Sequence, residues 1–456
     1  MPAGSNVNVY GASPFPRAVL SYAASTANDI SAPAFTHLAD VVEAWPAGEM
    51  LSGEHYCDRL EALRGRIGAV LALDAAIEIA FAPSGTDLEF IALALAKSRS
   101  RNPVRNILIG SDEIGSGCTA AAGGRYFADA TALNPAVVRG ACISGLEHTE
   151  VVEVAIRDPA GLPRPSGEIA AEIDRLCGEA VAADRHALVH VVHGSKTGLV
   201  LPNLADIDFL RGRYGPALTL VVDACQARLS NGAIAAYLKR DAIVLLTGSK
   251  FIGGPPFSGF ALVPGALSPA ASLPSGLGTV FRRAELPVNW PICDAFVAGA
   301  NPGLLLRLEA AVFELERFQR VASEHSARVI SSFGDAVSEL ARRIGVALVK
   351  PSLDSAELHL GTLATLDLSA LAGAPDFAMA QLWGKVLAAR GIRLGQPVKC
   401  VRRADGGWAG TLRISLSMPL IVSLAQRDPA GLARHFASDM DRIADVLEAA
   451  QRRIAC

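Results

Sequence analysis

The sequence predicts an α/β protein with a large domain built on a mainly parallel sheet, followed by a smaller α+β C-terminal domain. Between Ile77 and Pro264, short β-rich runs alternate with Ala- and Leu-rich helical patterns. Such alternation is typical of a parallel sheet covered by helices on both faces. After Gly303 a helical stretch extends to about Arg343, and mixed strands and helices follow it. The 456 residues also exceed the roughly 250–300 at which a single core stops growing.

Four segments are expected along the chain. An N-terminal arm and helix occupy 1–75, the large α/β domain 76–302, a connecting helix 303–344 and the small α+β domain 345–456. The arm contains the loop Gly11–Pro16, because its two prolines suit neither a helix nor a central strand.

Local patterns predict the elements of each domain. In the large domain, β-rich runs predict strands at 106–110, 137–142, 188–193, 218–223 and 243–247. In the small domain, strands are predicted at 362–368 and 411–417, and helices at 377–390 and 432–454.

Composition excludes several classes of protein. Hydrophobic residues make up 51% of the chain and the mean hydropathy is +0.32, so the chain buries a large core. A net charge of −3 lacks the basic surface of a nucleic-acid binder and gives no electrostatic reason to bind an anionic membrane. No apolar run reaches the roughly 18–20 residues that cross a bilayer. Met1–Asn6 shows no export leader, so a cytoplasmic location is expected.

The cysteines and histidines give no sign of a metal site. The eight cysteines include no CxxC pair, and the nine histidines are equally dispersed. Because zinc sites use closely spaced Cys and His ligands, no metal is expected. Most cysteines are expected to be reduced thiols in the core.

Ligands of open α/β sheets bind at the carboxyl ends of the strands, and three such ends carry informative residues. The first is Pro83–Asp87, where Ser84, Gly85 and Thr86 lead directly into the helical pattern Leu88–Ala96. Free backbone amides and the positive end of the helix dipole would hold a phosphate there. An ordinary N-cap by Ser84 or Thr86 explains the same residues equally well.

The other two strand ends carry an acid and a lysine. Asp223 ends an apolar strand, where a carboxylate is costly to bury unless it meets a cation. Lys250 follows a strand and precedes the small residues Gly253 and Gly254. Burial lowers the pKa of a lysine amine, which suits a Schiff base. Singly, these residues fit a capping acid and a surface lysine. Together with a phosphate loop, in this order, they indicate an aldehyde-bearing phosphorylated pyridine.

The sequence resembles the fold-type I pyridoxal-phosphate enzymes, specifically the class V aminotransferase and cysteine desulfurase group, over nearly the whole chain. Asp223 and Gln226 match the family's Asp-x-x-Gln, and Lys250 matches its Schiff-base lysine. The resemblance implies a fold-type I transferase fold, pyridoxal 5′-phosphate as cofactor, and Asp223 and Lys250 as catalytic residues. It implies further cofactor contacts for Ser84, Gly85, Thr86, Gln226, Thr247, Ser249, Ser195 and His193. For His193, a structural role at the strand end is an equal alternative.

Substrate contacts are implied for three residues. Arg413, within Leu412–Ser415, matches the family's Arg-x-Ser, whose guanidinium binds the substrate α-carboxylate through two points. Ser13 lies in a loop that resembles the N-terminal substrate strap. Cys400 lies near where some desulfurases carry their sulfur-accepting thiol, and Lys399 beside it favours the thiolate. A loop cysteine that only borders the pocket is the alternative.

The chain departs from the family at residues that select the reaction. Asp112–Gly117 contains no histidine, whereas class V members commonly stack one on the cofactor ring. Ser249 stands immediately before the lysine, where the family often has histidine. The family's Ser-Asn-x-Thr-Gly is replaced by Gly194–Gly198, and its Gly-Thr-x-Asn by Gly299–Asn301.

The resemblance implies an enzyme whose small-molecule substrate is an amino acid. The simplest reaction is that of an aminotransferase, because transamination needs only the retained lysine, acid and arginine. C–S cleavage of the cysteine desulfurase kind, or elimination from a side chain, is the main alternative and needs Cys400 or another acid. An amino-acid decarboxylase and a non-catalytic module that binds pyridoxal phosphate are further alternatives. The family also implies a homodimer, in which Gly299–Asn301 or the pair Arg282 and Arg283 reaches the neighbour's phosphate.

Overall fold

The structure is a computed structural model that describes residues 7–8, 11–23, 28–45, 51–349 and 357–452. The Met1–Asn6 segment, on which the expectation of no leader rests, and the predicted helix end at Ile454 lie outside these ranges. Within the described ranges, no helix combines the length and the apolar character needed to cross a membrane.

The secondary structure of the described residues alternates strands and helices in the first two thirds of the chain. The strands are β1 (Leu20–Tyr22), β2 (Ile77–Ala82), β3 (Val104–Ile109), β4 (Glu150–Val154), β5 (His186–His193), β6 (Val200–Leu201), β7 (Leu218–Asp223), β8 (Ala242–Thr247), β9 (Gly259–Pro264), β10 (Ala347–Leu348), β11 (Leu363–Asp367), β12 (Ile392–Leu394) and β13 (Thr411–Ser415). The α-helices are α1 (Ala32–Glu43), α2 (Gly53–Val70), α3 (Gly85–Ser98), α4 (Cys118–Ala122), α5 (Ser166–Ala182), α6 (Leu204–Tyr214), α7 (Asn231–Leu238), α8 (Pro302–Gln319), α9 (Ser323–Ile344), α10 (Phe377–Ala389), α11 (Met418–Leu424) and α12 (Pro429–Arg452).

The large domain contains the mainly parallel sheet that the sequence predicts. Its strand order is β2-β9-β8-β7-β5-β3-β4, with β9 antiparallel to both neighbours and β6 paired with the end of β5. Every residue of β5, β7 and β8 is buried, as expected for strands covered on both faces. The register places Asp223 of β7 between Val192 of β5 and Leu245 of β8. The acid therefore lies at the carboxyl edge of the central strands.

Helix α3 covers one face of the sheet. Ten consecutive residues, Asp87–Ala96, are buried. Its apolar side chains pack against Leu188, Val221 and Ile243 from the central strands, whereas Val222 belongs to the core on the opposite face. Because side chains alternate along a strand, Asp223 faces the same side as Val221, toward α3.

The smaller domain is built on an antiparallel sheet of order β10-β11-β13. Helices α9 and α12 pack against each other, and α10 contacts β13. The predicted elements at 362–368, 411–417 and 377–390 correspond to β11, β13 and α10. Strand β1 of the N-terminal segment pairs in parallel with β12, so the beginning of the chain is tied to the small domain.

The strand prediction at 137–142 is wrong. The next strand after β3 in sequence is β4, which pairs with β3 in parallel, and residues 137–142 make only isolated bridges. Gly140 has φ +85° and Val138 is 71% exposed. The chain therefore turns in solvent here, and apolar composition alone was a misleading signal.

The predicted single connecting helix over 303–344 is two helices, α8 and α9. Ala322 between them has extended backbone, with φ −58° and ψ 139°, which interrupts the helical hydrogen bonding. After this break, α9 packs against α12.

Candidate active site

The carboxyl ends of the central strands open into a cavity of about 720 Å³. We call the residues that line it from segments 84–87, 223–226 and 247–250 the cavity floor. We call those from segments 113–118 and 194–196, together with Gln396 and Arg413, the cavity walls. The predicted phosphate loop, acid, lysine and arginine thus border one space, which lies between the two domains.

The start of α3 forms an anion-binding turn at the floor. Ser84 is the N-cap, and the helix begins at Gly85, so the first amides point out of the helix end. A Cβ atom on Gly85 would lie 2.7 Å from Thr247 Cγ2 and 2.8 Å from Cys225 Sγ. Only glycine fits this close packing of the turn against the ends of β7 and β8.

Asp87 is an acid within this turn. The Ser84 hydroxyl donates to Asp87 Oδ2 over 2.5 Å and accepts from the Asp87 amide over 3.2 Å. Burial raises the pKa of Asp87 to about 6. The Ser84 side chain is therefore engaged as the helix cap, and the backbone amides and Thr86 are left to meet a phosphate.

Asp223 and Gln226 line the floor from the turn after β7. Asp223 Oδ1 accepts a hydrogen bond from the Cys225 amide over 3.0 Å, which orients the carboxylate at the strand end. The Thr247 hydroxyl donates to the Cys225 carbonyl over 2.7 Å. These two bonds tie the ends of β7 and β8 together and fix the acid relative to Lys250.

Lys250 lines the floor from the turn after β8. The side-chain amide of Asn28 donates to the carbonyls of Ser249 and Lys250, over 3.0 and 2.9 Å. Gly248 lies against α8, because a Cβ atom there would be 2.5 Å from Ala311 Cβ. The turn that carries Lys250 is therefore held by Asn28 on one side and by α8 on the other. No sequence motif pointed to Asn28, whose partners lie more than 200 positions away.

Arg413 reaches the cavity from β13 of the small domain. Its Nε donates to the Gln396 carbonyl over 2.8 Å, and its Nη1 approaches the Lys196 carbonyl at 3.4 Å. A Cβ atom on Gly395 would lie 2.9 Å from Arg413 Cβ, so glycine is required beside it. Burial lowers the pKa of Arg413 to about 10, which leaves the guanidinium charged at neutral pH.

The walls contain a charged network that the sequence did not reveal. Glu113 is buried and accepts from Arg157 Nε over 2.6 Å and from the Ser195 hydroxyl over 2.5 Å. Thr197 donates to the same carboxylate through its amide, over 3.1 Å. Ser195, a predicted cofactor contact, therefore lines the cavity with its hydroxyl hydrogen bonded to Glu113.

Lys196 adds a further cation to the cavity. Its Nζ donates to the Asp112 carbonyl over 3.0 Å. Burial, followed by the charges of Arg413 and Lys250, lowers the pKa of Lys196. The lining contains five basic side chains (Arg139, Lys196, Lys250, Arg307 and Arg413) and three acidic ones (Asp87, Glu113 and Asp223), and this excess of positive charge favours an anionic ligand.

Three predicted residues lie away from the described lining of the cavity. The His193 ring lies against Tyr237, with Nδ1 3.0 Å from the hydroxyl, although its neighbours Val192 and Gly194 do line the cavity. Ser13 donates its amide to Asp29 over 2.7 Å. Cys400 is buried, and burial raises the pKa of its thiol to about 12.

No family model matches the chain, and no curated protein matches it in sequence. Solved structures resemble it in fold. A NifS-like protein has a TM-score of 0.58 and 14% identity, over 94% of this chain and 99% of the other. The cysteine desulfurase CsdA from Escherichia coli has a TM-score of 0.54 and 17% identity, over 94% of both chains. Mouse CSAD has a TM-score of 0.57 and 14% identity, over 93% and 82%. At these identities the likeness establishes the fold, which is fold type I of the pyridoxal-phosphate-dependent enzymes, as the sequence resemblance implied.

The floor residues fit pyridoxal phosphate by their own chemistry. The amides at the start of α3, beside a glycine that leaves no room for a side chain, form a turn of the kind that binds phosphate. An oriented carboxylate at Asp223 suits a protonated ring nitrogen, and the amine of Lys250 suits the aldehyde. The set of donors and acceptors therefore matches the phosphate, the ring nitrogen and the aldehyde of this cofactor.

Proposed function

We propose that the protein is a pyridoxal-phosphate-dependent enzyme that acts on an α-amino acid. The observation that carries this proposal is that Lys250, Asp223, the start of α3 and Arg413 border one cavity of about 720 Å³. Each supplies a different function: an amine, an anion, a phosphate site and a guanidinium. A cavity that served only to bind a phosphate would not place the carboxyl group of Asp223 in its lining, because like charges repel.

When bound, pyridoxal phosphate supplies an aldehyde that condenses with amines and a ring that draws electrons from the attached α-carbon. Lys250 Nζ would hold the cofactor through its aldehyde. As an amine free of the cofactor it would take the proton from the substrate Cα, and the turn tied by Asn28 would keep it within reach. Asp223, fixed by the Cys225 amide, stabilises positive charge at the ring nitrogen.

Arg413 supports an α-amino acid as the substrate. Its Nε is held by the Gln396 carbonyl, so the guanidinium plane is set before the substrate arrives. A planar guanidinium pairs with a carboxylate at two points. Lys196 and Lys250 add positive charge on the same side and strengthen the attraction for an anion.

Aminotransferase-type chemistry is the reaction we propose. Transamination requires one group that removes a proton from Cα and returns it elsewhere, and Lys250 alone meets this need. The described residues that line the cavity include no histidine to assist departure of a side chain. Cys400 is buried away from the lining with its pKa raised to about 12, which disfavours a persulfide route through this thiol.

A lyase that cleaves a C–S bond is the second candidate. Cys118 lines the cavity, and two structural neighbours are described as cysteine desulfurases. Burial and two nearby carboxyls raise the pKa of Cys118, however, so this thiol is a poor thiolate nucleophile at neutral pH. The lyase reaction is therefore less well supported than the aminotransferase reaction.

A panel of amino acids incubated with the purified protein and cofactor separates these reactions. We expect keto acid to form when an α-keto acid acceptor is present, without sulfide or carbon dioxide. Sulfide or carbon dioxide as the main product would replace the aminotransferase proposal with a lyase or a decarboxylase. Failure of the protein to bind pyridoxal phosphate at all would contradict the whole proposal.

We also propose that the protein is a cytoplasmic homodimer. Val288 and Val297, close in sequence to Gly299–Asn301, are 74% and 53% exposed, which suits a surface covered by a second copy. The cysteines of the described residues are free thiols, as in a reducing compartment. Sedimentation of the active enzyme is expected to give twice the mass of the chain, and a fully active monomer would contradict the dimer.

A further inference from the structure

A buried polar cluster lies beneath the cavity floor, behind Asp223. Glu89 of α3 and His190 of β5 are each 1% exposed. Neither belongs to the lining of the cavity described above, and neither takes part in the chemistry proposed so far. Glu89 is also the only charged residue within the apolar run Leu88–Ala96, so its place there needs a physical reason.

The geometry brings two carboxyl groups together. A carboxyl oxygen of Glu89, a carboxyl oxygen of Asp223 and the Sγ atom of Cys118 lie within 4.8 Å of one another. Glu89 Oε2 lies 3.5 Å from His190 Nε2. Neither Glu89 Oε2 nor either ring nitrogen of His190 has a hydrogen-bond partner among the residues that the structure describes. Glu89 is thus enclosed by Asp223 on β7, His190 on β5 and Cys118 on α4.

The electrostatic repulsion between the two carboxyl groups determines the protonation state of this cluster. Two carboxylates this close, in an apolar layer, repel each other and lose their hydration, so one of them retains a proton. Asp223 borders the cavity, and its Oδ1 accepts a hydrogen bond from the Cys225 amide. Glu89 is sealed from the cavity, and burial followed by the charge of Asp223 raises its pKa. Burial lowers the pKa of His190 to about 4, so the ring is neutral and supplies no balancing charge.

We propose that Glu89 is a positioning residue that stays a neutral carboxylic acid and so leaves Asp223 as the single anion beneath the ring nitrogen of the cofactor. The inference rests on the proposed function, because it assigns Asp223 to that nitrogen. An ionised Glu89 would push Asp223 toward its own neutral form and remove the charge that keeps the ring protonated. The protonated carboxyl instead donates toward Asp223 or His190, and a donor to Asp223 makes the aspartate a weaker base. The proton then stays on the ring.

The first test needs no cofactor. Infrared difference spectra of the cofactor-free protein at pH 8, wild type minus Glu89→Gln, are expected to contain the carbonyl stretch of a protonated carboxyl. Asp87→Asn is the matched control, because it removes another buried acid and should leave the Glu89 band in place. Absence of the band from the wild-type difference shows that Glu89 is ionised and overturns the proposal.

The second test reads the ring nitrogen of the holoenzyme directly, with ¹⁵N-labelled pyridoxal phosphate. Wild type and Glu89→Gln are expected to show the chemical shift of a protonated pyridine, whereas Asp223→Asn moves the signal to that of a neutral ring. A neutral-pyridine signal in Glu89→Gln overturns the proposal. Glutamine has the same shape as a protonated glutamate and is also a neutral donor, so this substitution should leave the protonation of the ring unchanged. If Glu89→Gln fails to fold, Glu89→Leu decides instead: it lacks the donor to Asp223, so its signal is expected to move toward that of a neutral ring, and an unchanged signal overturns the proposal.

These tests separate the inference from the proposed function. A protein that binds no pyridoxal phosphate refutes the proposed function, while the infrared result still decides the protonation of Glu89. Conversely, a protein that binds the cofactor with an ionised Glu89 keeps the proposed function and refutes the inference alone.

Discussion

The floor of the cavity and its walls differ in what holds their side chains. Asp223 of the floor ends one buried strand and Lys250 follows the adjacent one, and Gly85 packs against the same two strand ends. The neighbouring Cys225 amide orients the acid, and the Asn28 side chain adds a distant contact to the turn of the lysine. The walls come from loops and from the small domain, and they depend on long-range side-chain contacts such as Glu113 with Arg157. The floor is therefore set by the sheet, and the walls by the assembly of several segments. Under the proposed function, this difference implies that cofactor chemistry and substrate choice are encoded in structurally separate parts of the molecule.

The largest effect is expected at the floor. Replacing Lys250 with Ala removes both the attachment point and the base, so turnover should fall by at least about a thousandfold. Borohydride reduction followed by peptide mapping should place the cofactor on Lys250 in the wild type and give no adduct in the variant. Lys196→Ala, from the wall, is the matched control and should keep the adduct. A persistent adduct in Lys250→Ala would assign the cofactor to another lysine.

A charge enclosed in the floor should make stability depend on pH. The pKa of Asp87 is about 6 in the folded protein and about 3.9 in an unfolded chain. Between these values the folded state keeps a proton that the unfolded state has lost, so the free energy of unfolding falls as pH rises from 4 to 6. The loss amounts to about 3 kcal/mol and is complete above pH 6.

Asp87→Asn should lack this fall, which denaturant unfolding at pH 4 and pH 7 will measure. Asp184→Asn, an exposed change, is the control and should follow the wild type. If the pH dependence of Asp87→Asn equals that of the wild type, the floor does not enclose an acid of raised pKa.

A smaller effect is expected where the wall meets the substrate. Arg413→Lys keeps the charge but loses the planar two-point contact, so KM for the amino acid should rise by about tenfold or more. Cofactor affinity should hardly change, because the floor is intact. Arg402→Lys, whose guanidinium stacks 3.6 Å from the Trp408 ring outside the cavity lining, serves as control. An unchanged KM in Arg413→Lys would show that another group binds the carboxylate.

The smallest effect is expected for Cys400. Its thiol is buried off the cavity, so Cys400→Ser should leave keto-acid formation within about twofold, as is usual for changes that remove no key contact. Steady-state assays of transamination and of sulfide release measure both reactions. Loss of sulfide release with retained cofactor binding would show that Cys400 acts in sulfur transfer and that the lyase reading is correct.

The floor could be predicted from sequence because its residues follow directly from local pattern. An acid and a lysine at the ends of apolar runs, and a glycine before a helix, occupy positions that parallel strands force together. The same reasoning wrongly predicted a strand at 137–142, where the chain turns at Gly140 and the segment does not join the sheet. For His193 the sequence left a cofactor contact and a structural role equally open; its ring lies against Tyr237, while Val192 lines the cavity as strand alternation requires.

The walls could not be predicted in this way because their contacts join distant segments. Glu113 meets Arg157 and Ser195 only after three loops have come together. Glu89 did leave a signal, since a single acid inside the otherwise apolar run Leu88–Ala96 requires a buried partner. That partner, Asp223, lies on a different element, and only the fold brings the two together.

The hydrogen bonds from Asn28 to the turn of Lys250 bear on the order in which the enzyme matures. They join points 221 and 222 positions apart in the chain. Contacts of such sequence separation carry a large loop-closure cost and form after local structure. The lysine turn is therefore secured only when the N-terminal segment has docked beside it. If Lys250 carries the cofactor as proposed, its covalent capture would then be a late event in maturation, restricted to chains whose first and middle parts have already assembled.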